Sequence, residues 1–377
     1  MGDLLLITGD SSADRYASNL VSYLQDQNFS GTIHSAAGHQ TKRAGAHSVK
    51  NVVDQSVVGF SEVAGSVPYF YRLLHDLDDV LINRPIEAIV LMDFPGFNLI
   101  FAWLSRAREL EIPLIYYITP QVWAWWQWRI KLLKKWFDQL FVIFPFEETL
   151  YRDRGIPARF VGHPMLENRP ETPDYDLREK LELEADRRIL SFFPGSRDQE
   201  VHQHLPIMVK TAQRIMESDD QFVPVFSAAP TVDQRHYRSV FEQHDAAFPV
   251  WGADSRSLLD ASEVCMLASG TITMEATFSN TPMVVGYRTS AISYRLGKWF
   301  SHTEQVAMPN LIADHPFVPE YLQGEFTVKT LSQELLDLLH DKERRDRMRS
   351  KLSEIHSTFD QRSPSREVGN YLLERFE

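Results

Sequence analysis

Short apolar runs alternate with helix-length segments along the 377-residue chain, in two separate stretches. Each run is four to six residues long and rich in Leu, Ile, Val and Phe, as in a buried strand. Strands that alternate with helices form βαβ units, so the pattern predicts an α/β fold with parallel sheets. The predicted strands are 4–8, 88–92, 113–118, 140–144, 189–193, 222–226, 264–267 and 283–286, and the predicted helices are 13–24, 99–109, 146–153, 205–218 and 273–279.

A polar segment at residues 167–176 separates the two stretches. It contains Pro170 and Pro173 among Glu, Asp and Arg residues, a composition typical of a linker. A chain of this length is expected to hold two or three domains. We therefore predict two successive Rossmann-like α/β domains that meet near residue 166.

The charge balance and the apolar pattern exclude several classes of protein. The chain has 39 Lys and Arg against 51 Asp and Glu, a net charge of −12, whereas a general nucleic-acid binder is normally basic. Cys265 is the only cysteine, so no internal disulfide can form. No apolar stretch approaches the ~20 residues of a membrane span, and the acidic start lacks the basic region of a secretory signal. We expect neither a transmembrane helix nor a nucleic-acid partner.

The residues that follow the strands are the candidates for chemistry, because ligands of parallel sheets bind beyond the carboxyl ends of the strands. Asp10 and Ser11 follow the first strand, where they can cap the next helix or hold an anion or a sugar hydroxyl. Asp93 follows the strand at 88–92. Partial burial would raise the pKa of its carboxyl group and suit it to general-base catalysis. The alternative for both loops is a plain helix cap.

In the second half, one loop has the composition of a diphosphate site. Gly195 and Ser196 allow a close backbone approach, and Arg197 offers a bidentate fork to phosphate. Glu200 lies in the helix that follows, whose N-terminus also favours anions. We interpret this loop as a diphosphate cradle, although it lacks the lysine and spacing of a P-loop.

A second loop in this half again places small hydroxylated residues between a strand and a helix. It contains Ser269, Gly270 and Thr271, and Glu275 lies near the first turn of the helix. A carboxylate at this position can accept the hydroxyl groups of a ribose, as in dinucleotide-binding folds. The alternative is a helix start resembling a capping box.

The segment at 123–136 combines five of the eight tryptophans with four cations and no acid. Tryptophan with Lys and Arg is typical of an interfacial membrane contact. Two shorter stretches, 68–74 and 294–300, have a similar composition. The alternative is core packing, but the three stretches together favour an amphiphilic or membrane-bound partner. The candidate contact residues are Trp125, Trp126, Trp128, Arg129 and Lys131.

No metal site is predicted. The chain has 13 His residues but neither a C-x-x-C nor an H-E-x-x-H pattern. His202 and His204 are interpreted as a solvated pair, and His163 as a hinge or site residue at the domain junction. No G-x-S-x-G nucleophile elbow occurs.

Ten sequence blocks carry a resemblance to a known family. They lie at 9–14, 59–63, 93–98, 117–125, 144–147, 161–164, 194–197, 268–271 with Glu275, 282–287 and 309–311. In this order, over roughly residues 4–325, they resemble the lipid-A-disaccharide synthases, a family of bacterial glycosyltransferases. The blocks Pro-Gln-Val-Trp-Ala-Trp and Ala-Ser-Gly-Thr are the most specific of them.

The resemblance implies a GT-B architecture: two Rossmann-like α/β domains that face a cleft, with the C-terminal helix packed back on the N-terminal domain. Residues 1–166 and a helix at about 355–377 would form the acceptor-binding and membrane-contacting domain, and 167–354 the UDP-sugar domain. The implied reaction condenses UDP-2,3-diacylglucosamine with 2,3-diacylglucosamine 1-phosphate. The products are a β(1→6)-linked lipid A disaccharide 1-phosphate and UDP, and the anomeric configuration inverts.

The resemblance also implies roles for single residues. Asp93 matches an essential aspartate and is expected to be the general base, and neither a cofactor nor a metal is expected. The substrates are membrane lipids, so we expect a cytoplasmic protein bound peripherally to the inner face of the cytoplasmic membrane; the oligomeric state stays open. The donor is expected to contact Gly195, Ser196, Arg197, Ser269, Gly270, Thr271, Glu275 and Asn310, and the acceptor Asp10, Ser11 and Asn98.

Three positions depart from the family pattern. Asp10 and Ala13 replace Glu and Gly in the first loop, and Gly96 stands where many members have a second Asp. Two alternatives therefore stay open: another UDP-sugar glycosyltransferase or epimerase with the GT-B fold, or a non-catalytic, membrane-associated nucleotide-sugar binder. The tryptophan-rich segment argues against a soluble acceptor, and turnover would exclude the non-catalytic protein.

Overall fold

A computed structural model describes residues 2–53, 63–124, 126–167, 177–184, 186–289 and 305–376. The chain divides into two compact units. Unit 1 contains Met1–Asn168 and Phe359–Glu377, and unit 2 contains Arg169–Thr358. Each unit is built on one parallel sheet with helices, which confirms the predicted α/β class.

Unit 1 contains a parallel sheet of seven strands in the order β3-β2-β1-β4-β5-β6-β7. The strands predicted at 4–8, 88–92, 113–118 and 140–144 are confirmed as β1, β4, β5 and β6. The strands are β1 (Asp3–Ile7), β2 (Ile33–Ala37), β3 (His47–Asn51), β4 (Ile86–Met92), β5 (Leu114–Tyr117), β6 (Gln139–Val142) and β7 (Ala158–Phe160). The helices are α1 (Ser11–Asp26), α2 (His39–Arg43), α3 (Val63–Asn83), α4 (Pro95–Ala107), α5 (Arg129–Trp136) and α6 (Pro145–Arg152), with a short 3₁₀ turn at Pro164–Leu166.

The inner strands of unit 1 are apolar on both faces because helices cover both faces of the sheet. Side chains alternate across the pleat, so Ile115 and Tyr117 join the core beneath α1, whereas the ring of Tyr116 packs against Phe137 with centroids 4.9 Å apart. In α1 the buried residues recur at helical spacing, as in Ala17, Leu20, Val21 and Leu24.

The last helix of the described chain completes unit 1. Helix α15 (Pro364–Phe376) packs on α1, where Gly369 allows the ring of Tyr23 to approach the backbone. The Tyr23 hydroxyl donates a hydrogen bond of 2.6 Å to Asn370 Oδ1. At the start of the helix, Glu167 accepts a hydrogen bond of 2.7 Å from the backbone N–H of Ser365.

Unit 2 contains a second parallel sheet, of six strands in the order β10-β9-β8-β11-β12-β13. The strands predicted at 189–193, 222–226, 264–267 and 283–286 are confirmed within it as β8, β9, β11 and β12. The strands are β8 (Arg188–Phe193), β9 (Phe222–Ser227), β10 (Val250–Trp251), β11 (Ser262–Ala268), β12 (Met283–Tyr287) and β13 (Glu320–Leu322). The helices are α7 (Leu177–Lys180), α8 (Asp198–Ser218), α9 (Gln234–Gln243), α10 (Ser255–Ala261), α11 (Ile272–Phe278), α12 (Met308–Ala313), α13 (Val328–His340) and α14 (Lys342–Asp360), with a 3₁₀ turn at Gln323–Glu325.

Both sheets reverse their strand order at the same relative position. In unit 1 the first strand, β1, lies between β2 and β4, and in unit 2 the first strand, β8, lies between β9 and β11. The loops that follow the two central strands then diverge to opposite sides of the sheet, which leaves a crevice for ligands at their carboxyl ends. The fold therefore singles out the loops after β1 and β4, and after β8 and β11. Over the described ranges, no helix is both long and apolar enough to cross a membrane.

Candidate functional site

The loops after β1 and β4 lie against each other at the switch point of unit 1. A Cβ on Gly9 would stand 2.6 Å from Phe94 Cβ, so only glycine allows the two loops this close. Asp93 and Phe94 both have positive φ, 33° and 136°, which is strained backbone for residues other than glycine. Asp10 begins α1 as its N-cap and accepts a hydrogen bond of 2.7 Å from the backbone N–H of Ala13.

The carboxyl group of Asp93 has a pKa close to neutral pH. Burial, and to a smaller extent the negative charge of Asp10, raise its pKa from 3.8 to about 7. A base with a pKa near the working pH combines a large ionised fraction with a strong pull on a proton. Ser11, at the start of α1, is exposed beside this loop.

A buried polar layer lies behind the Asp93 loop. Asn98 Nδ2 donates a hydrogen bond of 3.3 Å to the hydroxyl of Tyr116 on β5, and both side chains are fully buried. Burial and the negative charge of Asp93 raise the pKa of Tyr116, whereas Arg129 lowers it. Asp93 and Arg129 thus both act electrostatically on Tyr116, which the sequence shows only as a tyrosine within an apolar run.

The tryptophan-rich segment divides into a buried part and an exposed part. Trp123 is buried, and its Nε1 donates a hydrogen bond of 3.0 Å to Glu147 Oε1. Trp126 and Trp128 are 42% and 59% exposed, and Lys131 is also exposed. The guanidinium of Arg129 lies 4.3 Å from the ring centre of Trp126. Trp125 falls outside the described residues.

Further exposed apolar side chains lie on α3 and α4 of unit 1. In the stretch at 68–74, Leu73 is buried, whereas Tyr71 is 71% exposed. Ile82, near the end of α3, and Ile100 and Trp103, on α4, are also exposed. Unit 1 therefore presents several large apolar groups besides the tryptophans. The stretch at 294–300 and most of the block at 59–63 lie outside the described residues.

The loop after β8 in unit 2 is held by Glu200. Gly195 has a φ of +126°, which suits glycine, and Glu200 Oε2 accepts a hydrogen bond of 3.1 Å from the backbone N–H of Ser196. Glu200 Oε1 accepts a 3.3 Å bond from Arg197 and another from the Tyr287 hydroxyl. The Arg197 side chain is 80% exposed. The Glu200 carboxylate thus accepts the hydrogen bond of a backbone N–H group that the sequence analysis assigns to phosphate binding.

The loop after β11 is the neighbouring loop at the same switch point. Gly270 has a φ of +157°, and a Cβ there would meet no atom within 4 Å, so the backbone of Gly270 is open to a ligand. Thr271 is exposed, whereas Ser269 donates a hydrogen bond of 2.9 Å to the Val306 carbonyl. Glu275, in the first turn of α11, accepts a hydrogen bond from the Ser255 hydroxyl.

Asn310 lies beneath these loops rather than on their surface. Its amide is fully buried, donates to the Val318 carbonyl at 2.9 Å and to Glu320 Oε1 at 2.7 Å, and accepts from the backbone N–H groups of Phe317 and Val318. Glu320 also accepts from the N–H of Val306 at 2.9 Å. Asn310 thus holds the segment that Ser269 contacts.

The interpretation of His202 and His204 as a solvated pair is wrong for His204. His204 is fully buried, and its Nδ1 lies 2.8 Å from the Pro194 carbonyl, so it supports the loop after β8. Burial lowers its pKa. His163 is also buried, and burial lowers its pKa to about 3, so this imidazole is neutral at physiological pH. In the described part of the chain, no group of three or more His, Cys, Asp or Glu residues could hold a metal ion.

Two parallel Rossmann-type sheets with polar loops at both switch points define a GT-B protein. A kitacinnamycin glycosyltransferase shares the fold, with a TM-score of 0.65 and 14% identity over 99% of this chain and 98% of that chain. A UDP-GlcNAc 2-epimerase from Neisseria meningitidis, solved with UDP-GlcNAc, has a TM-score of 0.64 and 11% identity over 99% of this chain and 100% of that one. Identities this low show the fold alone.

Sequence similarity then identifies the family within this class. The family model described as lipid-A-disaccharide synthetase matches residues 4–372, and the chain belongs to this family. A lipid-A-disaccharide synthase from Anaeromyxobacter sp. (strain K) is 33% identical over 357 residues, which are 94% of this chain and 92% of that protein. One from Myxococcus xanthus is 33% identical over 88% of this chain and 86% of its own length.

Proposed function

We propose that this chain transfers diacylglucosamine from its UDP conjugate to the 6-hydroxyl of diacylglucosamine 1-phosphate, and that Asp93 is the general base. Family membership supports the reaction, and the single observation that carries the base is the raised pKa of the Asp93 carboxyl at the switch point of unit 1. An inverting displacement needs one base to take the acceptor proton and a site that stabilises the leaving diphosphate.

Asp93 fits the role of a lone base. Asp10, the other carboxylate at this switch point, is exposed and already caps α1, whereas Asp93 makes no comparable bond within the described residues. Gly96, where relatives often have a second Asp, has open space around its Cα. A one-carboxylate mechanism is sufficient if the leaving group is stabilised elsewhere.

The loop after β8 is our candidate for the leaving diphosphate. Arg197 is exposed and able to swing onto a phosphate, since its side chain contacts only Glu200, at 3.3 Å, among the described residues. The N–H of Ser196 becomes available when Glu200 rotates away. The phosphate of the ligand would then accept the hydrogen bond that the Glu200 carboxylate accepts in this structure.

The loop after β11 is our candidate for the sugar and ribose hydroxyls. Gly270 leaves its backbone open, Thr271 is exposed, and Glu275 holds the Ser255 hydroxyl as it would hold a ribose hydroxyl. The Ser255 bond shows that the Glu275 carboxylate can accept an O–H donor at this place. We assign Ser269 and Asn310 to support this loop, because both make internal hydrogen bonds.

The acceptor sugar would lie over the β1 and β4 loops, near Asp10 and Ser11. Asn98 is buried behind this surface, so we assign it to position the Asp93 loop through Tyr116. The acyl chains would meet the exposed indoles of Trp126 and Trp128. These side chains, with Lys131, favour peripheral contact of unit 1 with the inner face of the cytoplasmic membrane.

Turnover tests this proposal directly. The full chain is mixed with UDP-diacylglucosamine and diacylglucosamine 1-phosphate in detergent with a chelator, and UDP and disaccharide are followed by mass spectrometry. We expect disaccharide formation that depends on the acceptor. Asp93→Ala should reduce the rate at least 100-fold, as the loss of a general base does. The matched control is Glu87→Gln, which changes an exposed carboxylate on the same strand.

Two outcomes would contradict the proposal. UDP release without disaccharide would indicate a different acceptor or a related UDP-sugar enzyme. An Asp93→Ala rate above a tenth of the wild-type rate would remove Asp93 from the role of base, while the reaction itself would stand.

A further inference from the structure

The side chain of Arg129 in unit 1 is partly buried and has no counter-charge among the described residues. Arg129, the first residue of α5, forms neither an ion pair nor a hydrogen bond through its side chain there, and its Nε is buried without an acceptor. Leaving a buried donor unpaired normally destabilises a fold measurably, so most such groups have partners. Partial burial also lowers the pKa of this guanidinium.

The unpaired guanidinium is nevertheless held in place. Its centre lies 4.3 Å from the ring centre of Trp126 and 5.9 Å from that of Trp128, within the range of cation–π contact. A hydrogen bond of 2.9 Å from the Arg129 N–H to the Trp126 carbonyl closes the turn between them. Trp126 itself has a φ of +54°, a left-handed conformation that a tryptophan rarely adopts. The fold thus holds a strained turn that aligns a cation with two exposed indoles.

Arg129 also acts electrostatically on the buried layer behind the candidate base. Tyr116 carries the electrostatic influence of both Asp93 and Arg129, and its hydroxyl accepts the Asn98 hydrogen bond. Asn98 Oδ1 is buried without a donor among the described residues, so this layer has spare hydrogen-bonding capacity. The candidate base and the unpaired cation therefore act electrostatically on the same buried phenol.

We propose that Arg129 binds the phosphate of the acceptor lipid, through its guanidinium fork beside Trp126 and Trp128. The inference rests on the proposed function, because it assigns the second charged end of that acceptor. A hexose that presents its 6-hydroxyl to Asp93 carries its 1-phosphate on the far side of the ring and needs a cation there. Guanidinium groups bind phosphate in bidentate geometry, and nearby apolar rings exclude the water that would weaken the contact.

Binding of two lipids in the absence of donor tests the site. Calorimetry compares the binding of diacylglucosamine 1-phosphate with that of the same lipid without its phosphate. Both lipids are presented in a neutral detergent because an anionic membrane surface would itself attract the cations of unit 1. We expect the wild-type protein to prefer the phosphorylated lipid. Arg129→Gln should weaken its binding about 10- to 100-fold, the range for a charge-assisted hydrogen bond, and leave the other lipid unaffected. Arg129→Lys keeps the positive charge but not the bidentate guanidinium fork. Its affinity for the phosphorylated lipid should lie between that of the wild-type protein and that of Arg129→Gln.

Two other arginines of unit 1 serve as comparisons. Arg43, exposed in the last turn of α2, is the neutral control and should leave both affinities unchanged when replaced by Ala. Arg15, exposed near the start of α1, is the competing cation. Loss of the phosphate preference in Arg15→Ala instead of Arg129→Gln would overturn the assignment. So would an equal loss for both lipids in Arg129→Gln at an unchanged melting temperature.

The same lipids in the turnover assay separate this site from the reaction. If the wild-type protein forms disaccharide but binds both lipids equally, the reaction stands and the phosphate site fails. If it prefers the phosphorylated lipid through Arg129 but forms no disaccharide, the site stands and the proposed reaction fails.

Discussion

Asp93 illustrates how one side chain trades stability for function. Its strand ends at the switch point of the sheet, where burial and Asp10 raise the pKa of the carboxyl group to about 7. The same features that suit it to the proposed role of base make its ionised form unfavourable in the folded protein. Replacement by an isosteric neutral amide should therefore separate the two effects.

We predict that Asp93→Asn abolishes turnover but stabilises the protein above pH 7. The folded-state pKa of about 7 exceeds the usual 3.8, so ionisation costs the wild-type protein stability as pH rises from about 4 to about 7. The variant lacks this loss, and its advantage in unfolding free energy should be near zero at pH 4 and reach about 4 kcal/mol at most at pH 8. Denaturant unfolding at both pH values measures it; an equal effect at both would contradict the raised pKa.

The ionisation of Asp93 should also appear in the kinetics. At saturating donor, kcat/KM for the acceptor should rise with pH up to about 7 and level off above, because only the ionised carboxylate takes a proton. A profile that is flat between pH 5 and pH 8 would assign the base to another group.

Arg197 gives the corresponding prediction for the donor. Arg197→Ala should weaken UDP binding by about 1.5–3 kcal/mol, the contribution of a charge-assisted hydrogen bond. Calorimetry with UDP measures the change. Arg235→Ala, at an exposed arginine of unit 2 paired with Asp233, is the control and should leave the affinity unchanged. Unchanged affinity in Arg197→Ala would remove the diphosphate role of the loop.

At this scale the sequence predicts positions better than contacts. Asp93 and Arg197 are found because polar residues stand directly after apolar strands, and both occupy the switch points of their sheets. The burial of Asn98 and Asn310 depends on side chains distant in the sequence, such as Tyr116 and Glu320. No local pattern reports such partners, so the sequence alone suggested ligand contacts for both asparagines.

At the scale of elements, helix α6 supports the tryptophan-rich loop through one buried carboxylate. Glu147 accepts hydrogen bonds from Trp123 Nε1 at 3.0 Å and from the backbone N–H groups of Ile143 and Phe144 at 3.2 and 3.1 Å. Burial raises its pKa to about 7, although all three hydrogen bonds oppose the rise. Glu147 of the Phe-Pro-Phe-Glu block thus holds Trp123, the first residue of the Trp-Ala-Trp block, by a hydrogen bond.

Removal of this carboxylate should loosen the loop. Glu147→Ala leaves three buried donors without an acceptor and should destabilise the protein by about 2–4 kcal/mol. Hydrogen exchange should increase at residues 118–124. Glu148→Ala, which removes only a surface ion pair of 2.8 Å with Arg152, should cost less than about 1 kcal/mol. Equal effects of the two changes would show that Glu147 does not support the loop.

The strands that the sequence did not predict share a physical cause. β7, β10 and β13 have two or three residues each, β2 reads Ile-His-Ser-Ala-Ala and β3 reads His-Ser-Val-Lys-Asn, so none shows a run of large apolar residues. These strands lie at or near the sheet edges and take their conformation from the neighbouring strand. Long inner strands are predictable because both their faces must be apolar.

At the scale of the whole molecule, unit 1 carries the exposed apolar groups that a lipid surface would contact. Trp126→Ser with Trp128→Ser should reduce co-sedimentation with anionic liposomes several-fold, because indoles anchor proteins at the membrane interface. Trp251→Phe, at a buried tryptophan of unit 2, is the control for the loss of an indole. Unchanged sedimentation at an unchanged melting temperature would contradict a membrane role for these two side chains.

The helix that completes unit 1 also determines when that unit can finish folding during synthesis. Unit 2 is a continuous stretch of chain, but the face of α1 around Tyr23 stays uncovered until Pro364–Phe376 has left the ribosome. Domains generally fold as they emerge, so the second unit to be translated can reach its final state before the first does. The nascent chain therefore keeps an apolar surface uncovered through nearly its whole translation, and such a surface favours aggregation until the last helix packs on it.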